Sequence, residues 1–370
     1  MPSVGAAAIQ ATFGTSYEAT AWLLLLAPVL VSMAIEPALF LLADRYPRRW
    51  FVCAGLAAMA VAAGLAAAAP TPIVLAIALA VAYIGSGQGV ALSQATLIDC
   101  YPDARERIMA RWTLLGTAGD FLAPALMAAL AALSLGWRTG YAIVGALTAV
   151  IAWRLLRAEF PPPAASPDDE DGESPGLVAT LLLALRNRRL MFWLFAAALC
   201  NLMDEILVVF ASLHLRDHLG AGPEARSAVL AACVAGEAIG LAVLDRLLHR
   251  MAPLRVLAIS CAACAALYLA WVAAPTVWLS GLLMVGVGAT AAPLYPIAAA
   301  QTYAALPGRS GAVNAAGHFF TPLTMGLPWL LGWIADQAGT ATALVVLVAQ
   351  PLLILPMAIV GHRRDARRVP

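Results

Sequence analysis

Long apolar stretches separated by short polar segments run through almost the whole chain. Each stretch holds about 20 residues, which is the length that an α-helix needs to cross the hydrocarbon core of a membrane. Eleven such stretches are visible, at residues 20–43, 50–69, 72–98, 107–133, 138–157, 188–213, 225–245, 254–274, 276–303, 310–335 and 340–361. They lack the short alternating segments of a membrane β-barrel. The pattern predicts an all-α polytopic membrane protein with about 11 transmembrane helices.

Composition supports this class and excludes others. Hydrophobic residues make up 62% of the 370 residues and charged residues only 12%, about half the usual share of a soluble domain. This number of charged side chains is too small to cover the surface of a water-soluble protein. We therefore expect a lipid bilayer to surround the helices. The net charge of +1 provides no field for nucleic acid. No nucleotide-binding loop, nucleophile elbow or paired-Cys pattern is present, so we expect no enzyme activity, no cofactor and no metal.

Arginine placement predicts the orientation in the membrane. The loops on one side and the C-terminal tail contain most of the arginines, whereas the loops on the other side contain only Arg138, Arg216 and Arg226. Loops rich in basic residues stay in the cytoplasm. We therefore expect a multi-pass protein of a bacterial inner membrane with its C-terminus in the cytoplasm.

One long polar segment divides the chain. It begins with the Pro-rich, acidic run "EFPPPAASPDDEDGESPG", which has the composition of a disordered linker. The stretch "LVATLLLALRNRRL" follows this run and predicts a short interfacial helix. We expect an N-terminal bundle at 1–157, this linker at 158–187, a C-terminal bundle at 188–361 and a basic cytoplasmic tail at 362–370.

The two halves of the chain repeat the same polar positions. Glu36, Asp44, Arg45 and Arg49 recur at an offset of 201 residues, and "GDFLAP" recurs as "GHFFTP" at an offset of 198. The recurring residues are Glu237, Asp245, Arg246 and Arg250, and the two motifs are Gly119–Pro124 and Gly317–Pro322. The repeat predicts two pseudo-symmetric helical bundles in parallel orientation, an arrangement known from transporters.

These features resemble the major facilitator superfamily. That family has the signature Gly-x-x-x-Asp-Arg/Lys-x-Gly-x-Arg in the cytoplasmic loop after its second helix. Asp44-Arg45 and Arg48-Arg49 match it, while Phe40 and Pro47 stand where the two glycines belong. The motifs "GWR" at Gly136–Arg138 and "LPGRSG" at Leu306–Gly311 also resemble the family. The resemblance implies a monomeric secondary transporter of a small-molecule substrate that works by alternating access.

The resemblance also indicates that most of the first helix of the family is missing. Only about twenty residues precede the helix that ends at Asp44, and "AAAIQATFG" corresponds to the end of a first helix. We expect either a mis-assigned start or a truncation, with a natural eleven-helix protein as the alternative.

Five acids interrupt the predicted spans. Each costs about 2.5–3.5 kcal/mol at the centre of a membrane helix, so such residues are functional by default. They are Glu36, Asp120, Asp204, Glu205 and Glu237. Asn201, Asp204 and Glu205 follow the i, i+3, i+4 spacing of one helix face. The resemblance implies that this helix lines the central cavity, where two adjacent acids resemble proton-coupling carboxylates. The alternative is a hydrogen bond between helices.

The other polar positions of the spans have two interpretations each. Glu36 and Glu237 occupy matching places and either line the cavity or bond to a neighbouring helix. Asp120 and His318, with Asn314 one turn before His318, either couple across the cavity or bond to carbonyl groups that Pro124 and Pro322 leave without a donor. All of these residues are predicted to belong to a proton-coupling or substrate cavity.

The charged loop residues form a separate predicted set. The resemblance implies that the loop around Asp44 pairs with an acid at the cytoplasmic end of the fourth helix, a position that Asp99 occupies. Such pairs hold the cytoplasmic side closed and break on opening. The predicted gate consists of Asp44, Arg45, Arg48, Arg49, Asp99, Asp245, Arg246 and Arg250. The alternative is charge that only sets the membrane orientation.

The sequence therefore predicts a proton-coupled secondary transporter of a small solute. Few polar side chains lie in the spans, so we favour export of an amphiphilic solute over uptake of a sugar. A membrane sensor or scaffold that does not transport, and a lipid or lysolipid flippase, are the alternatives.

Overall fold

The structure is a computed structural model that describes residues 2–16, 19–20, 22–160 and 176–366, without the side chains of residues 2–7, 25, 201–205 and 363–366. Within these residues, every regular element is a helix. The first half of the chain forms α1 (Pro2–Phe13), α2 (Ala27–Ala43), α3 (Arg48–Ala68), α4 (Pro72–Ser86), α5 (Leu92–Cys100), α6 (Arg105–Ala132), α7 (Trp137–Arg157) and α8 (Leu177–Arg186).

The second half forms nine further helices. They are α9 (Arg188–Leu219), α10 (Pro223–Leu247), α11 (Pro253–Val272), α12 (Val277–Ala291), α13 (Leu294–Ala305), α14 (Ser310–Gly317), α15 (Thr321–Ala338), α16 (Thr340–Leu347) and α17 (Ala349–Ala366). Several of these helices continue one another along the chain, so the number of membrane spans is smaller than the number of helices.

Nine helical segments in the described part of the chain are long and apolar enough to cross a membrane. They are Trp22–Ala43, Arg48–Ala68, Pro72–Cys100, Pro102–Ala132, Trp137–Arg157, Pro223–Leu247, Pro253–Val272, Val277–Ala305 and Thr340–His362. The predicted spans at 188–213 and 310–335 are not among them. Residues 188–213 lie in the 32-residue helix α9.

The predicted span at 310–335 is broken in the structure. Helix α14 ends at Gly317, a 3₁₀ turn covers His318–Phe320, and α15 begins at Thr321. Pro322 has no N–H and therefore cannot donate to the carbonyl group of His318, four residues earlier, as a continuous α-helix requires. The prediction of one uninterrupted helix here was wrong, and the break lies at a residue predicted to be functional.

Three other spans contain interruptions. A π-helical turn at Gly87–Ala91 joins α4 to α5. Ala292 and Pro293 separate α12 from α13, and Val348 separates α16 from α17. Prolines follow the last two breaks at positions 296 and 351. Irregular backbone inside a membrane is tolerated where it lines a cavity or is covered by protein, so these breaks are places to look for a site.

The described chain divides into two compact units. Unit 1 contains residues 1–102, 119–187 and 306–318, and unit 2 contains residues 103–118, 188–305 and 319–370. Each unit therefore includes a short segment from the other half of the sequence. Helix α6 passes from unit 2 to unit 1 between Ala118 and Gly119, and the broken helix passes from unit 1 to unit 2 after His318.

Each unit has its own pattern of helix packing. In unit 1, α3 packs on α4 and α7, while α2 packs on α4 and α14. The ten-residue helix α8, which the sequence predicts as a short interfacial helix, packs on α14 and α2. In unit 2, α10 packs on α12, α11 packs on α12 and α17, and α9 packs on α13. Residues 161–175 of the predicted linker at 158–187 fall outside the described residues, which resume at Gly176.

Glycines bring α10 and α12 into close contact. A Cβ atom at Gly236 would overlap the carbonyl oxygen of Val285, and one at Gly240 would overlap that of Ala289. In the opposite direction, a Cβ atom at Gly288 would overlap the carbonyl oxygen of Cys233. Small residues allow membrane helices to gain packing energy without a hydrophobic driving force. Glu237 lies between two of these glycines, so its helix is held tightly where the acid occurs.

We predict that Gly236→Ala destabilises the protein by about 1–3 kcal/mol, because the added methyl group overpacks a contact between two backbones. The matched control is Gly332→Ala in α15, where an added Cβ atom meets nothing within 4 Å. Alanine favours a helix over glycine by about 1 kcal/mol, so this control should be neutral or stabilising. Thermal unfolding in detergent, followed by circular dichroism, measures both. Equal melting temperatures for the two variants would contradict the packing argument.

Candidate functional site

In unit 1, the carboxylate of Asp44 caps the N-terminus of α14. The N–H groups of Gly311 and Ala312 donate to its two oxygens, each at 2.8 Å. The first N–H groups of a helix have no partner within the helix, and its N-terminus attracts negative charge. A Cβ atom at Gly311 would overlap the carbonyl oxygen of Phe40. Glycine at this position therefore permits the approach of α14 to the end of α2.

Arg48 lies between two acids beside this cap. Its guanidinium group donates to Asp99 at 2.5 Å and to Asp44 at 3.2 Å, and Ser310 Oγ donates to Asp99 at 2.7 Å. Burial raises the pKa of the Asp44 carboxyl, while Arg48 and the two N–H groups of α14 limit that rise. We call Asp44, Arg48, Asp99 and the start of α14 the Asp44 cluster. It combines helices from both halves of the sequence.

Unit 2 contains a comparable group around Asp245. Arg107 Nε lies 3.5 Å and Arg111 Nε 3.2 Å from Asp245 Oδ1, and both arginines belong to α6. Nearby along α6, Glu106 accepts a hydrogen bond of 2.9 Å from Gln301 Nε2 on α13. We call Arg107, Arg111 and Asp245 the Asp245 cluster. It also joins the two halves of the sequence, and it uses side chains where the Asp44 cluster uses the backbone of α14.

The remaining predicted gate arginines have other surroundings. Arg45, Arg246 and Arg250 are exposed, and Arg49 donates to the carbonyl oxygen of Leu156 on α7. The predicted gate did not include Arg107 and Arg111, or Ser310 and Gly311. The "LPGRSG" motif contains the last two, but the motif does not show which acid they contact.

Glu36 contacts the broken helix at His318. His318 Nε2 lies 3.1 Å from Glu36 Oε2, and Glu36 is only 7% exposed. The Phe40 ring lies 5.8 Å from the His318 ring, and a Cβ atom at Gly87 would lie 2.6 Å from Glu36 Oε1. The acid is therefore enclosed by α2, by the π-helical turn and by the 3₁₀ turn after α14.

Apart from Glu237, the other predicted cavity residues are Asp120, Asn314 and three residues of α9. Asp120 and His318 were predicted either to couple across the cavity or to bond to carbonyl groups; in this structure His318 lies beside Glu36 and Asp120 is exposed. Asn314 lies on α14, one turn before His318. The side chains of Asn201, Asp204 and Glu205 lie outside the described residues, although the backbone of α9 runs through them.

A cavity of about 240 Å³ lies within unit 2. Its polar lining consists of Thr113, Thr117, Glu237, Tyr295 and Gln350, and Cys200, Cys233, three leucines and two alanines line the rest. Two helix breaks face this cavity. The lining residues Ala291, Ala292 and Leu294 lie at the break after α12, and the lining residue Gln350 follows the break before α17. Glu237 was predicted to line a cavity or to bond to a neighbouring helix, and here it lines this one.

Comparisons with known proteins extend these observations. A family model described as "Major Facilitator Superfamily" matches residues 1–327. No curated protein matches the chain significantly. Among solved structures, the chain is similar to the major facilitator superfamily transporter FucP in the outward conformation, with a TM-score of 0.74 and 18% sequence identity over 93% of this chain and 90% of that one.

Two further solved structures share the fold. The human organic anion transporter MFSD10 matches with a TM-score of 0.66 and 16% identity, covering 96% of this chain and 88% of that one. The proton:xylose symporter XylE matches with a TM-score of 0.69 and 14% identity, covering 95% of this chain and 89% of that one. At these identities the structural matches support the all-α architecture of two related bundles and do not identify a substrate.

We predict that Asp44→Asn loosens α14. An asparagine side chain has one acceptor oxygen and no charge, so it loses the ion pair with Arg48 and at least one of the two N–H bonds. Hydrogen bonds to charged groups contribute about 1.5–3 kcal/mol each, so the amides of Gly311 and Ala312 should exchange with deuterium about 10-fold faster or more. Hydrogen–deuterium exchange of the peptide covering α14 measures this. Asp103→Asn, at an exposed acid, is the control, and unchanged exchange in both variants would contradict the cap.

Proposed function

The chain belongs to the Major Facilitator Superfamily, and it is therefore a multi-pass membrane transporter and not an enzyme. We propose that it couples the transport of a small solute to proton movement. The observation that carries the proposal is the contact of 3.1 Å between Glu36 Oε2 and His318 Nε2. A carboxylate and an imidazole at membrane depth are costly unless they are paired, and they mark ion pathways. A pair that joins helices of both sequence halves suits a coupling role.

The proton chemistry follows from the two side chains. When the pair is charged, His318 donates to Glu36. Binding of one more proton neutralises Glu36 and removes the attraction, and the broken helix is then free to leave α2. The elements packed against α2 supply only Tyr83 on α4 and Arg186 at the end of α8 as other titratable groups among the described residues.

The Asp44 and Asp245 clusters support alternating access. The Asp245 cluster joins the two halves of the sequence through charged side chains at 3.2–3.5 Å. The Asp44 cluster joins them through the N–H groups of Gly311 and Ala312 and the hydroxyl group of Ser310, at 2.7–2.8 Å. Contacts of this kind repack when helices change partners in a conformational transition. We propose that both clusters close the cytoplasmic side, as the distribution of arginines favours, and that they break when that side opens.

The solute is proposed to be amphiphilic. Leucine, alanine and cysteine make up most of the cavity lining, and only five residues there carry oxygen or nitrogen in their side chains. A sugar needs many hydrogen bonds and would leave its hydroxyl groups without partners in such a cavity. We therefore favour export of an amphiphilic solute over uptake of a sugar. We further propose that the protein lies in a bacterial inner membrane with its C-terminus in the cytoplasm.

We predict that Glu36→Gln abolishes proton-coupled flux and keeps solute exchange. Purified protein is reconstituted into liposomes that contain a pH indicator, and a panel of organic cations, anions, zwitterions and sugars is added from outside. The wild type should move protons only when its solute is present. The variant should exchange labelled for unlabelled solute at a similar rate while moving no protons, because the cavity is intact and the proton carrier is missing.

Glu224→Gln is the matched control, because Glu224 is exposed in the first turn of α10. His318→Gln should resemble Glu36→Gln. Full proton coupling in both pair variants would remove the carrier role of the pair. A wild type that moves protons with no member of the panel would favour the sensor or scaffold alternative.

A further inference from the structure

We propose that the cavity in unit 2 binds the ammonium group of a small amphiphilic amine between Glu237 and Gln350. This inference deepens the proposed function and rests on it for the claim of transport, but binding itself is a separate property of the cavity. All twelve lining residues belong to unit 2.

The polar lining offers acceptors and lacks cations. Among the described lining residues there is no Lys, Arg or His, and the one charged side chain is the carboxylate of Glu237, which only accepts hydrogen bonds when ionised. The hydroxyl groups of Thr113 and Thr117 donate to the carbonyl groups of Met109 and Thr113, at 2.9 and 3.1 Å. These hydroxyl groups therefore have only acceptor capacity left for a ligand.

Gln350 provides an independent indication of a ligand. Its side chain is 5% exposed, it lines the cavity, and no donor among the described residues reaches its Oε1 atom. A buried acceptor without a donor costs about 1–3 kcal/mol. A ligand with N–H groups removes this cost, whereas a ligand that only accepts hydrogen bonds does not.

The helix break after α12 adds a further acceptor at the same place. Pro296 has no N–H, so the carbonyl group of Ala292 lacks the donor that a regular helix supplies four residues later. Ala292 lines the cavity. In membrane transporters, unwound backbone carbonyl groups at interrupted helices coordinate cations near the middle of the membrane. The carboxylate, the amide oxygen and this carbonyl group together suit a cation that carries N–H donors.

The rest of the cavity defines the body of the ligand. Leu207, Leu241 and Leu294 form apolar walls, and the volume of about 240 Å³ is below the range of about 300–1,000 Å³ typical of ligand pockets. This space suits a compact amine with a short apolar or aromatic group. A quaternary ammonium ion has no N–H donor and fits the acceptor set poorly, so the cavity should distinguish the two kinds of cation.

The test compares three probes of nearly equal shape on the full-length protein in detergent. They are 2-phenylethylammonium, the neutral 2-phenylethanol and the quaternary trimethyl(2-phenylethyl)ammonium, and isothermal titration calorimetry measures each Kd. We expect the primary amine to bind at least about 30-fold more tightly than the alcohol, as a buried charge pair implies, and about 10-fold more tightly than the quaternary ion. Equal affinity for amine and alcohol, or no binding of the amine, would overturn the proposal.

Variants locate the site and report on folding at the same time. Glu237→Gln should weaken amine binding about 30-fold or more and leave the binding of 2-phenylethanol unchanged, which shows that the cavity is still formed. Gln350→Leu should weaken amine binding about 10-fold. Glu224→Gln, on the exposed start of α10, should bind all three probes like the wild type. Amine affinity that is unaffected by both cavity variants would refute the site.

The binding test and the transport test fail separately. Amine binding that depends on Glu237, together with no flux in liposomes, would uphold this site and refute the proposed function. Proton-coupled flux of another class of solute, together with no amine binding, would uphold the proposed function and refute this site.

Discussion

A carboxylate that leaves water for the interior of a helical bundle loses several kcal/mol of hydration unless other donors replace the water. In this protein the donors come from the other half of the sequence. Asp44 is capped by α14, Glu36 pairs with His318, and Asp245 meets two arginines of α6. Asp44 and Glu36 are buried, so breaking their contacts with the other sequence half requires each acid to gain a proton, water or a new partner. Asp245 is partly exposed and keeps access to water.

The two clusters meet this requirement by different means. Asp44 binds backbone N–H groups, which are present whatever the side chains at positions 311 and 312 are, and glycine at 311 permits the approach. Asp245 binds two guanidinium groups whose side chains are partly exposed. Exposed ion pairs are screened by salt and contribute less than buried ones. The repeat in the sequence therefore preserves the acids but does not preserve the strength of their contacts.

Hydropathy and the internal repeat predict most of the fold, because span length and helical packing are properties of local composition. They also identify Glu36, Asp44, Glu237 and Asp245 as important positions. The repeat does not predict partners, since residues related by the offset are equivalent positions in two bundles and not neighbours. This is why Asp120 was matched with His318, whereas the structure pairs His318 with Glu36. Gln350 was missed because a single glutamine in an apolar run gives little signal, although Pro351 beside it indicated a helix break.

Helix α6 continues without interruption from unit 2 into unit 1, while the equivalent helix of the second half changes to a 3₁₀ turn at His318 as it makes the same passage. The intact hydrogen-bond ladder of α6 resists bending over the roughly 20 Å between Arg105 and Gly119, whereas the turn at His318 interrupts the ladder of the equivalent helix. The two equivalent helices thus differ in stiffness, and substitutions that interrupt one ladder or restore the other should change the elasticity of that helix without altering any ligand contact.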